Sequence, residues 1–144
     1  MSDLSPQMIA ERSAAALWAE DAASQSLGLD LISVGPGRAE MALTVQPVHT
    51  NGHGICHGGY VFLLADSAFA FACNSYNQRA VAQSNTISYL APGRLGARLV
   101  AEAREVEWRG RTGIYDVAVR GAEGEVIALF RGQCRTIAGT LFEP

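Results

Sequence analysis

The chain has 144 residues, room for one domain and not for two separate cores. Its formal net charge is −3, with eleven scattered Arg and no Lys, which argues against the basic stripe a nucleic-acid partner needs. Apolar residues make up 49% and charged residues only 17%, below the usual ~25%, so the composition hints at extra buried surface such as a subunit interface.

Ser5-Pro6 opens the first predicted element, Ser as N-cap and Pro at the first helical position. This alanine-rich helix runs to about Ser26, with Gly28 as its stop. Residues 29–34 read as a short strand and Pro36-Gly37 as a turn, after which 38–45 alternates, with Met41, Leu43 and Val45 on one face. A polar loop follows to Cys56. From Gly58 to about Tyr76 the chain is apolar on nearly all sides, too long for a strand and without β-branched bias, which predicts a buried helix. Four strands are predicted near 80–91, 97–108, 112–120 and 125–137, separated by Pro92-Gly93, Arg109-Gly110 and Glu123-Gly124. The expected fold is therefore one α+β domain over 1–144, an antiparallel sheet wrapped around one long central helix with an N-terminal helix beside it.

The longest apolar run, Tyr60 to Cys73, is interrupted by Asp66 and Ser67 and falls short of the ~18 residues of a membrane span. Asp3, Glu11 and Glu20 do not fit the charged and apolar regions of a secretion signal. Cys56, Cys73 and Cys134 are odd in number and widely spaced, so no disulfide framework is expected. A soluble cytoplasmic protein without a membrane partner is the reading.

The chemistry concentrates between Asn51 and Asp66. A helix beginning at Gly58 leaves first-turn N–H groups without internal partners, at the positive end of the dipole. Gly58 and Gly59 have no side chain to block a ligand, so the pair suits a developing oxyanion in acyl transfer; it equally suits close packing of helix on sheet. Asp66 lies eight residues further along, about 12 Å at 1.5 Å per residue. A carbonyl at Gly58 is out of its reach in one chain, whereas two antiparallel helices across a two-fold axis would bring Asp66 of one to Gly58 of the other. A carboxylate in apolar surroundings has its pKa raised and can serve as base or nucleophile, or it can bond a nearby Ser, Asn or backbone group and hold the fold. His49, His53, Cys56 and His57 are metal-ligand types, but their spacing matches no familiar zinc pattern, and no metal is expected. Nucleophile-elbow and phosphate-loop motifs are absent, so a nucleotide-like ligand would depend on surface Arg; Arg109 and Arg111 flank a turn glycine and are as readily a solvated hairpin tip.

Asn51-Gly52-His53, Cys56 to Gly59, Leu64 to Ser75, Thr86 to Gly93, Thr112 to Asp116 and Ala128 to Gly132 together resemble the PaaI family of hot-dog-fold acyl-CoA thioesterases of bacterial phenylacetate degradation, over about residues 15 to 139. The resemblance implies a homodimer with active sites at its interface, commonly paired into a dimer-of-dimers tetramer. It implies hydrolysis of an aryl-acetyl-CoA to free acid and CoA, with coenzyme A part of the substrate and no separate cofactor. Gly58 would supply the oxyanion N–H, helped by the Asn51 amide; His57 would orient that loop by bonding Asn51; Asp66 of the facing subunit would be base or nucleophile. Gly59, Arg109, Arg111 and Thr112 would contact the substrate and its CoA. Some relatives place a Thr one turn after the acid, where this chain has Ala70, and others a Ser on the following strand, where Ala82 is expected, which leaves the attacking water without a holder. The rival readings are an enoyl-CoA hydratase on the same fold and a non-catalytic acyl-CoA-binding domain.

Overall fold

The computed structural model describes residues 3–144. Helix α1 (Pro6–Glu20) and the short α2 (Ala22–Ser26) precede strands β1 (Asp30–Gly35) and β2 (Arg38–Thr44). A single 3-10 turn (Pro47–His49) leads to α3 (Gly58–Cys73), followed by β3 (Ala80–Tyr89), β4 (Arg98–Arg109), β5 (Thr112–Arg120) and β6 (Val126–Thr136). The strands form one antiparallel sheet in the order β1-β2-β4-β5-β6-β3.

Helix α3 lies against the inner face of that sheet. Leu64, Phe69 and Phe71 are almost fully buried, and the Phe69 ring packs on Tyr115 of β5 and Phe130 of β6. Inner positions of β2, β4 and β5 supply Met41, Leu43, Leu99, Val117 and Val119. The all-round apolar character of 58–73 thus has a direct cause: the sheet curls around the helix, and little of its surface is left to water.

The two edge strands differ. On β1, α1 packs alongside, its Gln7 side chain donating to the Val34 carbonyl at 2.9 Å. On β3, all nine residues beyond Ala80 are exposed or partly so, and Val81 and Tyr89 are 48% and 53% exposed. A long edge of that kind is a template for pairing with another strand.

Two expected boundaries move. The first helix breaks at Asp21, whose carboxylate accepts from Ser24 N–H at 3.0 Å and caps a second short helix, the competition between side chain and backbone that makes Asp a poor interior residue. The long helix stops at Cys73 rather than Tyr76, because the Asn74 side chain donates to Ala70 and Ala80 carbonyls and accepts from Ala80 N–H, tying helix end to strand start.

Candidate active site

The loop before α3 is held by its own side chains. Asn51 Oδ1 accepts from the N–H groups of His53 (2.9 Å) and Ile55 (3.4 Å), and a tight turn spans Asn51 to Gly54, whose N–H donates to Asn51 O at 3.0 Å with Gly54 at φ +74°. Cys56 N–H donates to Gly93 O at 2.8 Å, which docks the loop on the β3–β4 connection, and His57 N–H donates to His49 O at 2.8 Å, which closes the loop on its own first turn. His49 is 2% exposed; its Nδ1 accepts from Gln46 N–H and its Nε2 faces Leu27 O, which assigns the proton to Nε2. Among the described residues no three His, Cys, Asp or Glu converge as a metal-binding group.

His57 is the N-cap of α3 and takes up most of the first-turn donors. Its ring Nδ1 accepts from Gly59 N–H at 2.8 Å, and its carbonyl accepts from Tyr60 and Val61. The N–H of Gly58 remains without a partner, so one donor at the helix terminus is left for a ligand. This corrects the expected role of His57: its ring caps Gly59 and makes no bond to Asn51, whose oxygen is already engaged in the loop. The Asn51 amide nitrogen stays available as a second donor.

Gly58 and Asn51 line one cavity of about 460 Å³, whose other walls include Ile55, Val61, Leu90 and Pro92. Tyr89 covers Gly58, its hydroxyl donating to Gly58 O at 2.9 Å, and a Cβ on Gly58 would sit 3.1–3.3 Å from its ring and hydroxyl. The glycine is needed here for close approach, since its φ is not positive.

Asp66 does not line that cavity. It is partly buried two turns along α3 and accepts from Asn85 Nδ2 at 3.0 Å; desolvation raises its pKa from its ordinary value, an effect the Asn85 bond partly offsets. The structural alternative for Asp66, a bond to a nearby Asn, is thus realised, and it leaves Oδ2 unengaged.

Asn85 was missed in the sequence for a physical reason. Strict alternation from Ala80 puts Ala82 and Ser84 on the inner face. A β-bulge between Ala82 and Ser84 inserts Gln83 and flips the phase, so that Asn85, Ile87 and Tyr89 face α3. The cluster of polar residues 83–85 in a strand was the available signal.

Arg109, Arg111 and Thr112 sit on the β4–β5 hairpin, where Arg109 pairs with Thr112, Arg111 donates to Thr136 O at 2.8 Å, and Arg109 lies 3.6 Å from Glu107. Thr136 pairs with Ala80 at the start of β3, whereas Tyr89 over Gly58 is at its end. Within one chain these residues are therefore at the opposite end of the sheet from Gly58. Gly59, with its N–H capped, presents no free donor.

The thioesterase superfamily profile matches residues 53–128. The chain is 42% identical over 130 residues to the acyl-coenzyme A thioesterase PaaI of Escherichia coli, covering 90% of this chain and 93% of that one. The solved structure of the E. coli PaaI protein from the phenylacetic acid degradation operon superposes with a TM-score of 0.92 at 42% identity, over 94% of this chain and 99% of that one. A Streptococcus mutans protein solved with acetyl-CoA bound gives 0.75 at 26% identity, over 78% and 91%.

Proposed function

The chain belongs to the thioesterase superfamily and is an acyl-CoA thioesterase, and on that premise we propose that it hydrolyses phenylacetyl- or hydroxyphenylacetyl-type CoA thioesters at a site shared by two copies of the chain. The observation that carries the reading is the lone unpaired N–H of Gly58 at the mouth of an apolar cavity. A volume of about 460 Å³ suits a small aryl-acyl group. The name of the E. coli relative points to the aryl-acetyl class.

In this reading the thioester oxygen lies between Gly58 N–H and the Asn51 amide, which stabilise it as negative charge develops. Asp66 of the second copy removes a proton from water, the water oxygen bonds to the carbonyl carbon, and the tetrahedral intermediate collapses as the C–S bond breaks. The departing thiolate takes the proton from Asp66, so free acid and CoA leave and the carboxylate is restored. Burial raises the Asp66 pKa in the direction that strengthens a base.

The second copy has a natural seat. Helix α3 and strand β3 run antiparallel and in step: Gly58 meets Tyr89 and Asp66 meets Asn85, eight helical residues (~12 Å) against four strand residues (~13 Å). A two-fold axis that levels Asp66 with Gly58 of the second copy passes midway, at Phe62 on the helix and Ile87 on the strand. Antiparallel pairing of the open β3 edges about Ile87 meets both demands at once. It also carries the Arg109–Thr112 hairpin end of one copy towards the Gly58 end of the other, where these residues would face the CoA phosphates. Two such dimers would form the tetramer, and the three free cysteines favour a reducing, cytoplasmic setting.

Thiol release over a panel of acyl-CoAs tests the reading. Phenylacetyl and hydroxyphenylacetyl members are expected to exceed aliphatic ones in kcat/KM, and Asp66→Asn to abolish turnover while CoA still binds. An even response across the panel removes the aryl-acetyl assignment; an active Asp66→Asn removes the mechanism.

A further inference from the structure

Where the resemblance would put a water-holding Ser this chain has Ala82, and Ala70 follows Asp66 by one turn, so neither carries a hydroxyl. The bulge in β3 turns a different polar side chain towards the acid. Asn85 donates from Nδ2 to Asp66 Oδ1 at 3.0 Å, which fixes the amide orientation, since its oxygen cannot face an ionised carboxylate. Its own Oδ1 is buried and has no hydrogen-bond partner. A buried acceptor left unpaired costs about 1–3 kcal/mol.

Asp66 Oδ2 is the other acceptor without a donor at this place. Two neighbouring acceptors match one molecule that donates twice. We propose that Asn85 is the water-positioning residue of this thioesterase: the attacking water donates one hydrogen to Asp66 Oδ2 and the other to Asn85 Oδ1, which leaves an oxygen lone pair free for the thioester carbon. Asn85 thereby touches a reacting molecule and also orients the base. In the step itself the Asp66-bound proton is the one transferred, the Asn85-bound proton stays on the oxygen that becomes the acid's hydroxyl, and the C–S electron pair leaves with CoA.

The surroundings of the pair agree with this division. Opposite Asn85 on β6 is Gly132, where a Cβ would strike the Phe69 ring at 2.6 Å, so this part of the core leaves no side chain over the amide. No Arg or second carboxylate bonds Asp66; the other titratable group on α3 that feels its charge is the buried Cys73 thiol. The amide N–H is then the one polar group that favours the ionised form of the base.

The inference rests on Asp66 as the base, and three variants separate the two. Asn85→Ala removes donor and acceptor: kcat is expected to fall about tenfold to a hundredfold with KM within about threefold, and the acid limb of kcat/KM to move to higher pH. Asn85→Asp keeps an acceptor and adds a like charge: the limb moves further up, but kcat on the plateau recovers above that of Asn85→Ala. Thermal melts of both on the intact assembly monitor folding, and a loss of melting temperature with unmoved kinetics overturns the proposal. So does a plateau kcat in Asn85→Asp no higher than in Asn85→Ala. If Asp66→Asn is inactive while both Asn85 variants keep wild-type kcat and limb, the water assignment alone falls; if Asp66→Asn is active, the base assignment falls first.

Discussion

Replacing Gly58 by Pro deletes the backbone N–H assigned to the oxyanion with little disturbance elsewhere. Proline is welcome at the first helical position, and the residue before it must be extended, as His57 already is at φ −59°, ψ 134°. The ring carbons would press on Tyr89 at 3.1–3.3 Å, a half-exposed side chain able to swing out. The expected result is a folded protein with kcat down about 10²–10³-fold, the effect of removing one oxyanion donor. A second measurement uses the geometry. Gly58 and Asp66 of one helix are ~12 Å apart, so the proposed site draws on two copies. Unfolding and refolding an equal mixture of Gly58→Pro and Asp66→Asn gives about half heterodimers by random pairing, each with one site free of both changes. Thiol release should recover to about a quarter of wild type, whereas each variant alone stays near zero. Recovery absent from a mixture proven by mass to contain heterodimers would refute the shared site.

Four further outcomes can be checked. Gly132→Ala places a Cβ 2.6 Å from Phe69 in the core and should cost about 1–3 kcal/mol, read as a fall in melting temperature. His57→Ala removes the Gly59 cap, about 1 kcal/mol or roughly 2–5 °C, and lowers kcat by freeing a competing donor; His57→Asn restores an acceptor and most of both losses. Because burial raises the Asp66 pKa, wild type gains stability as pH falls towards the acid range and loses it as pH rises through the folded pKa; Asp66→Asn should melt higher at pH 7, by a margin that narrows on acidification, and a pH-independent margin would contradict this. Ile87→Cys should form a disulfide-linked dimer under mild oxidant while Gln83→Cys does not, since Ile87 lies on the inferred two-fold axis; the reverse pattern would displace that axis.

Most of the fold was legible because its elements announce themselves locally. Pro92-Gly93 and Glu123-Gly124 fall between strands as expected, Arg109-Gly110 straddles the end of β4, and the helix from Gly58 follows from an apolar run too long for a strand. What escaped depends on events that alternation cannot register. The β3 bulge shifts the inner face by one residue, so strict alternation does not point to Asn85, and the resemblance draws notice only to Ala82. Asp21 and Asn74 end helices through side-chain bonds, whose partners lie up to six residues away. The pairing of His57 with Gly59 rather than Asn51 depends on which ring nitrogen faces the helix terminus, a property of geometry alone.

The unsatisfied groups of one chain lie where a second copy would sit. Gly58 N–H has no acceptor, Asn85 Oδ1 has no donor, and Asp66 is partly desolvated with one oxygen unengaged. Beside them runs β3, an edge with its backbone groups open and Tyr89 and Val81 about half exposed. Each feature alone would be a small cost tolerated anywhere in a domain. Together they fall on one line about 12 Å long, from Gly58 and Tyr89 to Asp66 and Asn85, along a single face. The other buried orphan among the described residues, Ser13 Oγ, is on α1 away from this line. Groups left unpaired at random would be scattered; in the proposed shared site the second copy would pair the β3 edge, and a substrate and one water would supply the partners of the rest.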